Sequence, residues 1–406
     1  MGLPSRIAFH AWHRHGSDRL DDPRKAPSGR RRRGLAYGLI GALAAGAVAA
    51  EPIRVATFNV ELAREGPGLL LRDIRRGDSE DIAVAAGIIA HITPDILHLT
   101  SFDYDAGGQA LGAFARLIAE RGVDYPYAFA LAPNTGVPTG LDLDGDGRLG
   151  GPGDAQGYGR FRGHGGMAIL SRWPIAAADA VDLSGLLWAE FPGASVPDIF
   201  GQKTRNALRL STTGHWDVPV KTPSHGSVRL LAFYATPPVF DGPEDRNGRR
   251  NHDEAALWRA WLDGALEGAP PEERFVIIGD ANLDPKDGDG RPSALKALIA
   301  DPRIQDPEPR SDGGTAAADQ GGANRGHRGD PALDTADWAD TPADTKPGNL
   351  RVDYVLPSAD WRVVEAGVFW PPPDDPNAAL LGSRERGGGS RHRLVWVDIE
   401  PAEGNR

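Results

Sequence analysis

Short apolar runs bounded by turn residues recur along this chain, and they leave few folds open to it. They occupy 53–59, 95–100, 166–170, 228–234, 275–279, 350–356 and 394–399, each rich in Val, Ile, Leu or aromatic residues and flanked by Gly, Pro or Asp. Runs of that length and composition read as strands. Between some of them the spacing becomes helical. Residues 81–91 place Ile82, Ala85, Ala86 and Ile89 on one face, and 111–119 and 255–262 behave alike. Strands and helices mixed along the whole length, without strict alternation, predict a layered α/β sandwich. The Gly/Asp/Ala-rich stretches 311–349 and 371–392 read as long surface loops, too polar to be core. No internal repeat is present. The organisation expected is an N-terminal extension and export signal over 1–50, one catalytic domain over 51–400 and a tail at 401–406.

Bulk composition narrows the function. A chain of 406 residues, 40% hydrophobic and 25% charged, is an ordinary globular protein with material for a large core. Without cysteine it has neither a disulfide framework nor a thiolate metal site. Its formal net charge is −11, and residues 1–50 carry a Lys/Arg excess, so the remainder is more acidic still. Such a surface repels a polyphosphate backbone, which disfavours bulk nucleic acid as a partner and a small or exposed phosphoester is the better expectation. A local basic patch would leave a secreted nuclease open.

The N-terminus has the form of an export signal. Arg30 to Arg33 precede an uninterrupted apolar and small-residue run from Gly34, which ends in Ala47-Val48-Ala49-Ala50. The run falls short of the ~20 residues of a membrane span, so cleavage and a periplasmic or secreted location are expected. A retained membrane anchor is the alternative. After Glu51 no segment is apolar enough to cross a bilayer, and a monomer without membrane contact is expected once the leader is removed.

Four motifs carry chemistry. Thr57-Phe58-Asn59 ends the first strand with an amide that can meet a phosphate oxygen or a hydrated metal, though Asn at a strand end also simply caps turns. Phe275-Val276-Ile277-Ile278 runs into Gly279-Asp280-Ala281-Asn282, where the Gly is expected to permit a sharp turn. A carboxylate emerging there can take a proton from attacking water, and the amide can hold a phosphoryl oxygen. Asp353 lies within an otherwise apolar strand and needs a partner, since an unpaired buried charge is costly. Ser390-Arg391-His392 precedes the last strand and offers an imidazole that Asp353 can orient.

In this order and at these distances the four motifs resemble the endonuclease/exonuclease/phosphatase superfamily, over essentially the whole chain beyond residue 51. Further segments that look like an exported bacterial subgroup of that superfamily are Phe58-Asn59-Val60-Glu61-Leu62, Thr236-Pro237-Pro238-Val239-Phe240-Asp241-Gly242-Pro243 and Asn247-Gly248-Arg249-Arg250-Asn251-His252-Asp253-Glu254. The resemblance implies a four-layer α/β/β/α sandwich of two packed mixed sheets flanked by helices. It implies phosphoester hydrolysis by activated water with Mg²⁺ or Mn²⁺. Carried over residue by residue, Asn59 is the phosphate or metal-shell amide and Asp280 the water-activating carboxylate. Asn282 is its neighbouring amide, Asp353 and His392 form the carboxylate–imidazole pair, and Tyr234 takes a place commonly held by His.

Two departures bear on the metal. Ser101 stands where the resemblance puts a metal-ligating Glu, and Arg391 replaces the Asp of a Ser-Asp-His motif. Mg²⁺ wants hard oxygen ligands and no adjacent uncompensated cation. Asp103 or Glu61 can substitute as ligands. Alternatively, the Arg391 guanidinium takes the metal's place and grips phosphate directly. The third reading is a weakened or inactive relative that binds a phosphorylated ligand.

Asp142-Leu143-Asp144-Gly145-Asp146-Gly147 matches the opening of a calcium loop, with Gly153 at the twelfth position and Asp154 one residue beyond. It is either a structural Ca²⁺ site or a plain acidic turn. His252-Asp253-Glu254 reads as a helix start with acids in the first turn.

Overall fold

The computed structural model describes residues 51–272, 274–338, 347–383 and 388–402; the expected export signal at 1–50 lies outside them. The strands are β1 (Ile53–Leu62), β2 (Ile96–Phe102), β3 (Tyr127–Phe129), β4 (Gly166–Ser171), β5 (Val181–Asp182), β6 (Gly214–Thr222), β7 (Gly226–Tyr234), β8 (Phe275–Asp280), β9 (Ala336–Asp337), β10 (Asn349–Leu350), β11 (Asp353–Pro357), β12 (Trp361–Val368) and β13 (Val395–Pro401). The helices are α1 (Leu69–Arg76), α2 (Glu80–Ile92), α3 (Gln109–Ala119), α4 (Gln202–Arg205), α5 (Arg246–Leu262), α6 (Ser293–Ile299) and α7 (Asp312–Ala318).

Two mixed sheets form, ordered β12-β13-β1-β2-β4-β3 and β11-β8-β7-β6-β5, with β9 and β10 pairing separately. The alternation of side chains along each strand sets the layers. In β1, Ala56 and Phe58 face α1, α2 and α3, while Ile53 and Val55 face the second sheet. In β8, Val276 and Ile278 meet the first sheet, while Phe275 and Ile277 meet α5 and α6. Helices, sheet, sheet and helices therefore stack as α/β/β/α. Each fully buried Leu or Ile in these layers contributes roughly 1.5–3 kcal/mol. Among the described residues no helix is long and apolar enough to cross a membrane.

Several elements differ from the sequence reading. The run 350–356 is broken: Val352 and Asp353 both donate their amides to Thr335 Oγ1, and Arg351 N donates to Asp284, so the ladder with β8 begins only at Asp353. β6 escapes the apolar pattern because His215, Asp217 and Pro219 interrupt it, although all lie in the core. Asp217 is satisfied there by Arg229 at 2.7 Å and Trp261 Nε1 at 3.1 Å. Helix α5 starts at Arg246, which puts Asp253 and Glu254 in mid-helix and not at its start. Both are buried: Asp253 accepts from Trp188 and Ser195, and Glu254 from Thr212 and Thr236. The stretch 311–349 is not wholly a surface loop, since α7 and β9 lie in it and Thr335 is buried.

Candidate active site

Strand register assembles the site. β8 lies between β7 and β11, with Tyr234 opposite Asp280 on one side and Asp353 opposite Asp280 on the other. Three side chains from distant parts of the chain thus sit abreast at one sheet edge. Gly279 is needed for close approach and not for a turn: it lies inside β8, and a Cβ there would collide with the Phe233 carbonyl of β7. The first sheet supplies Asn59, where the β1–β2 pairing shifts register between Asn59 and Leu62. His392 arrives by a bridge to Ala336, flanked by hydrogen bonds from Asp337 N to Arg391 O and from Arg393 N to Thr335 O.

The side chains converge. Asn59 Nδ2 donates to Asp280 Oδ2 at 2.8 Å and lies 3.4 Å from His392 Nε2. His392 Nδ1 is 2.9 Å from Asp353 Oδ2, which also accepts from Thr335 Oγ1. Asp280 Oδ1 accepts from the Asn282 amide at 2.7 Å, while Asn282 Nδ2 is taken by Ala235 O. In this arrangement Asn282 holds Asp280 in place and turns its amide nitrogen toward the main chain. Burial and the charge of His392's neighbours shape protonation. Burial alone would lower His392, but Asp353 and Asp280 override it and raise the imidazole to about 9. Burial, then Asp353, pushes Asp280 up from the usual carboxylate range, opposed by His392. Burial and Asp280 raise the Tyr234 phenol, whose hydroxyl faces Asn59 and Ser101.

The backbone is strained at three of these strand ends. Glu61, Ser101 and Asn282 adopt φ of 48°, 55° and 47°, the left-handed region that non-glycine residues avoid. Glu61 does lie beside the cluster, but Arg391 claims it. Arg391 N and Nε donate to the Glu61 carboxylate at 2.7 and 2.8 Å, and Nη2 makes a further contact. Burial would raise the Glu61 carboxyl, yet these bonds, with His392 nearby, hold it below its usual range. Ser390 Oγ donates to Asn59 O at 2.7 Å and fastens this segment to β1.

Asp103 is turned elsewhere: its oxygens accept from Arg64 N and Gly165 N at 2.9 Å, and burial raises it to about 6. Asp142, Asp144 and Asp146 cluster within 4.8 Å at the surface. Asp154 is buried beneath that trio, its oxygens accepting from the backbone of Leu143, Asp144 and Gly151. Thr335, which supports Asp353, lies in a stretch whose polar composition gave no signal of a role.

Asp280, Asp353 and His392 bring one ligand atom each within 4.8 Å of one another, and Asp353 Oδ1 is buried without a hydrogen-bond partner. Two carboxylates, one of them with an orphaned oxygen, fit a divalent cation by charge and donor type. At the position of Ser101, no carboxylate is offered.

The sequence profile described as the Endonuclease/Exonuclease/phosphatase family matches residues 56–392. The chain belongs to the endonuclease/exonuclease/phosphatase family. No curated protein matches it. Among solved structures, an endonuclease/exonuclease/phosphatase from Beutenbergia cavernae is similar at 20% identity, covering 87% of this chain and 72% of that one with a TM-score of 0.50. A family protein from Leptotrichia buccalis (14% identity, 86% and 99% covered, TM-score 0.45) and sphingomyelinase C from Streptomyces griseocarneus (16%, 86% and 99%, TM-score 0.44) are also similar. The first of these likenesses is one of fold. In this member of the endonuclease/exonuclease/phosphatase family, Arg391 is paired with Glu61 and residue 101 is a serine.

Proposed function

We propose that this chain hydrolyses a small or exposed phosphoester by water activation. The convergence of Asn59, Asp280, Asp353 and His392 on one sheet edge carries the reading. Asp280 takes a proton from the attacking water, its raised affinity for protons suiting it to a general base near neutral pH. The His392 imidazolium, oriented by Asp353, faces the charge that develops on the phosphoryl oxygens. Among the described residues no group hydrogen-bonds Arg391 Nη1, so a phosphate oxygen can meet it while Glu61 holds the rest of the fork.

A divalent ion, Mg²⁺ or Mn²⁺ by family expectation, would be held by the carboxylate oxygens of Asp280 and Asp353, with His392 kept as the protonated partner of Asp353. Bound there, it would neutralise phosphoryl charge and lower the pKa of water. The Glu61–Arg391 pair favours a second reading, a relative in which binding is kept and hydrolysis is weak. The basic then apolar run up to Ala50 supports export to the periplasm or beyond; an intact mass of the mature chain beginning near Glu51 tests it.

Turnover of p-nitrophenyl phosphate and bis-p-nitrophenyl phosphate with Mg²⁺, Mn²⁺ or chelator, in the native chain and in Asp280→Asn, tests the function. Turnover lost in the variant supports the enzyme. Binding of inorganic phosphate with no turnover of either ester supports the second reading. Degradation of plasmid DNA would favour a nuclease instead.

A further inference from the structure

We infer that the cavity beside the catalytic cluster holds a second anionic group of the substrate, so that the preferred substrate is a small organic phosphoester bearing another phosphate. The inference rests on the phosphoester reading and deepens it. The cavity measures about 510 Å³, within the range of small-molecule sites and too small for a duplex. Ser101 and Tyr234 form its inner wall, which places it next to Asn59 and Asp280.

Arg246 and Arg250 of α5 also line it, and no Asp or Glu does. Arg250 is the informative residue. Only 4% of it is exposed, yet no carboxylate lies within ion-pair distance of it among the described residues. Its Nε donates to Leu210 O at 2.8 Å and its Nη2 to the Arg209 and Ser211 carbonyls, which orients the fork, while Glu254 one turn along α5 pulls on its charge from beyond ion-pair distance. Burial lowers it to about 10, and Arg246 repels it further against the pull of Glu254. Among the described residues Arg246 makes one long side-chain contact, Nη1 to Leu143 O at 3.4 Å, and no ion pair. A buried guanidinium without an acid is unfavourable unless an anion completes it. Here the buried Arg250 and the half-buried Arg246 share one recess in a chain of net charge −11. That recess is where this protein concentrates a negative group. The rest of the wall is apolar or aromatic: Leu143, Tyr158, Leu208 and Phe240. Those side chains suit the carbon body that joins the two phosphates.

The test uses the whole mature chain and a series of alkanediol bisphosphates of increasing chain length, each compared with the monophosphate of the same alcohol by calorimetry. At least one length should bind about tenfold more tightly than its monophosphate, the gain of one charge-assisted contact. Arg246→Met should bring the two affinities together, and Arg246→Lys should restore part of the difference. Arg250→Met reports the same contact if it folds. No advantage at any length, or an advantage that persists in Arg246→Met, overturns the inference. Because binding is read directly, loss of the bisphosphate advantage is distinguishable from absence of turnover, which concerns the phosphoester reading itself.

Discussion

Arg391 donates its backbone amide and its guanidinium to Glu61, so that one residue of the final motif clasps the strand that carries Asn59. The carboxylate that this ion pair holds lies beside the cluster, close enough to feel the charge of His392. Exchanging Arg391→Asp together with Ser101→Glu should release Glu61 and supply two acids. We expect Mg²⁺ affinity, measured by calorimetry, to rise by about tenfold or more. An unchanged affinity would mean that Ser101 and Arg391 do not stand where the family places metal ligands.

Asp280→Asn should lower kcat on the ester that is turned over by about a hundredfold to ten-thousandfold, the range for removing a general base. The amide oxygen can still accept from Asn59, but the amide nitrogen then faces Asn282 N and that second bond is lost, so a modest fall of the thermal midpoint is expected beside the loss of turnover. A variant with native activity assigns the base elsewhere.

Stability should depend on pH through His392. Its folded pKa, about 9, lies above the ordinary 6.5, because Asp353 and Asp280 outweigh burial. The folded state therefore holds the proton more tightly than the unfolded chain does. The stabilisation is complete below pH 6.5 and disappears as pH rises through about 9. His392→Gln should flatten the fall of the thermal midpoint across that window; an identical profile in parent and variant refutes the assignment.

Thr335→Val should destabilise the fold by about 1–3 kcal/mol, because Val352 N and Asp353 N both lose their acceptor in a buried position. Asp353 Oδ2 loses a donor too, and the imidazole it orients becomes less well fixed. Denaturant unfolding gives the first effect. A drop in kcat at unchanged KM gives the second.

Much of the arrangement is readable in the residues. The apolar runs at 53–59, 275–279 and 394–399 announced β1, β8 and β13, because strands buried on both faces are continuous in hydrophobicity. Asn59, Asp280, Asp353 and His392 were marked by being polar groups at the ends of, or within, such runs. What stayed hidden was polar structure serving polar structure. β6 carries His215 and Asp217 inside the core, and the middle of α5 carries Arg250, Asn251 and Glu254 turned inward. Periodicity arguments count apolar residues and pass over these. Thr335 gave no warning either, since a single threonine in a Gly/Asp/Ala-rich stretch looks like any loop residue until its partner is known. The pairing of Glu61 with Arg391 joins positions far apart in the chain, and local pattern says nothing of it.

The side-by-side placement of Tyr234, Asp280 and Asp353 has an evolutionary corollary. Sliding β8 by a single position would turn Asp280 to the helix side of its sheet and carry Ile278, two residues back on the same face, with it. Chemistry and packing are thus inherited together: any substitution that loosens the hold of valines and isoleucines on their layer also loosens the aim of an acid several residues away.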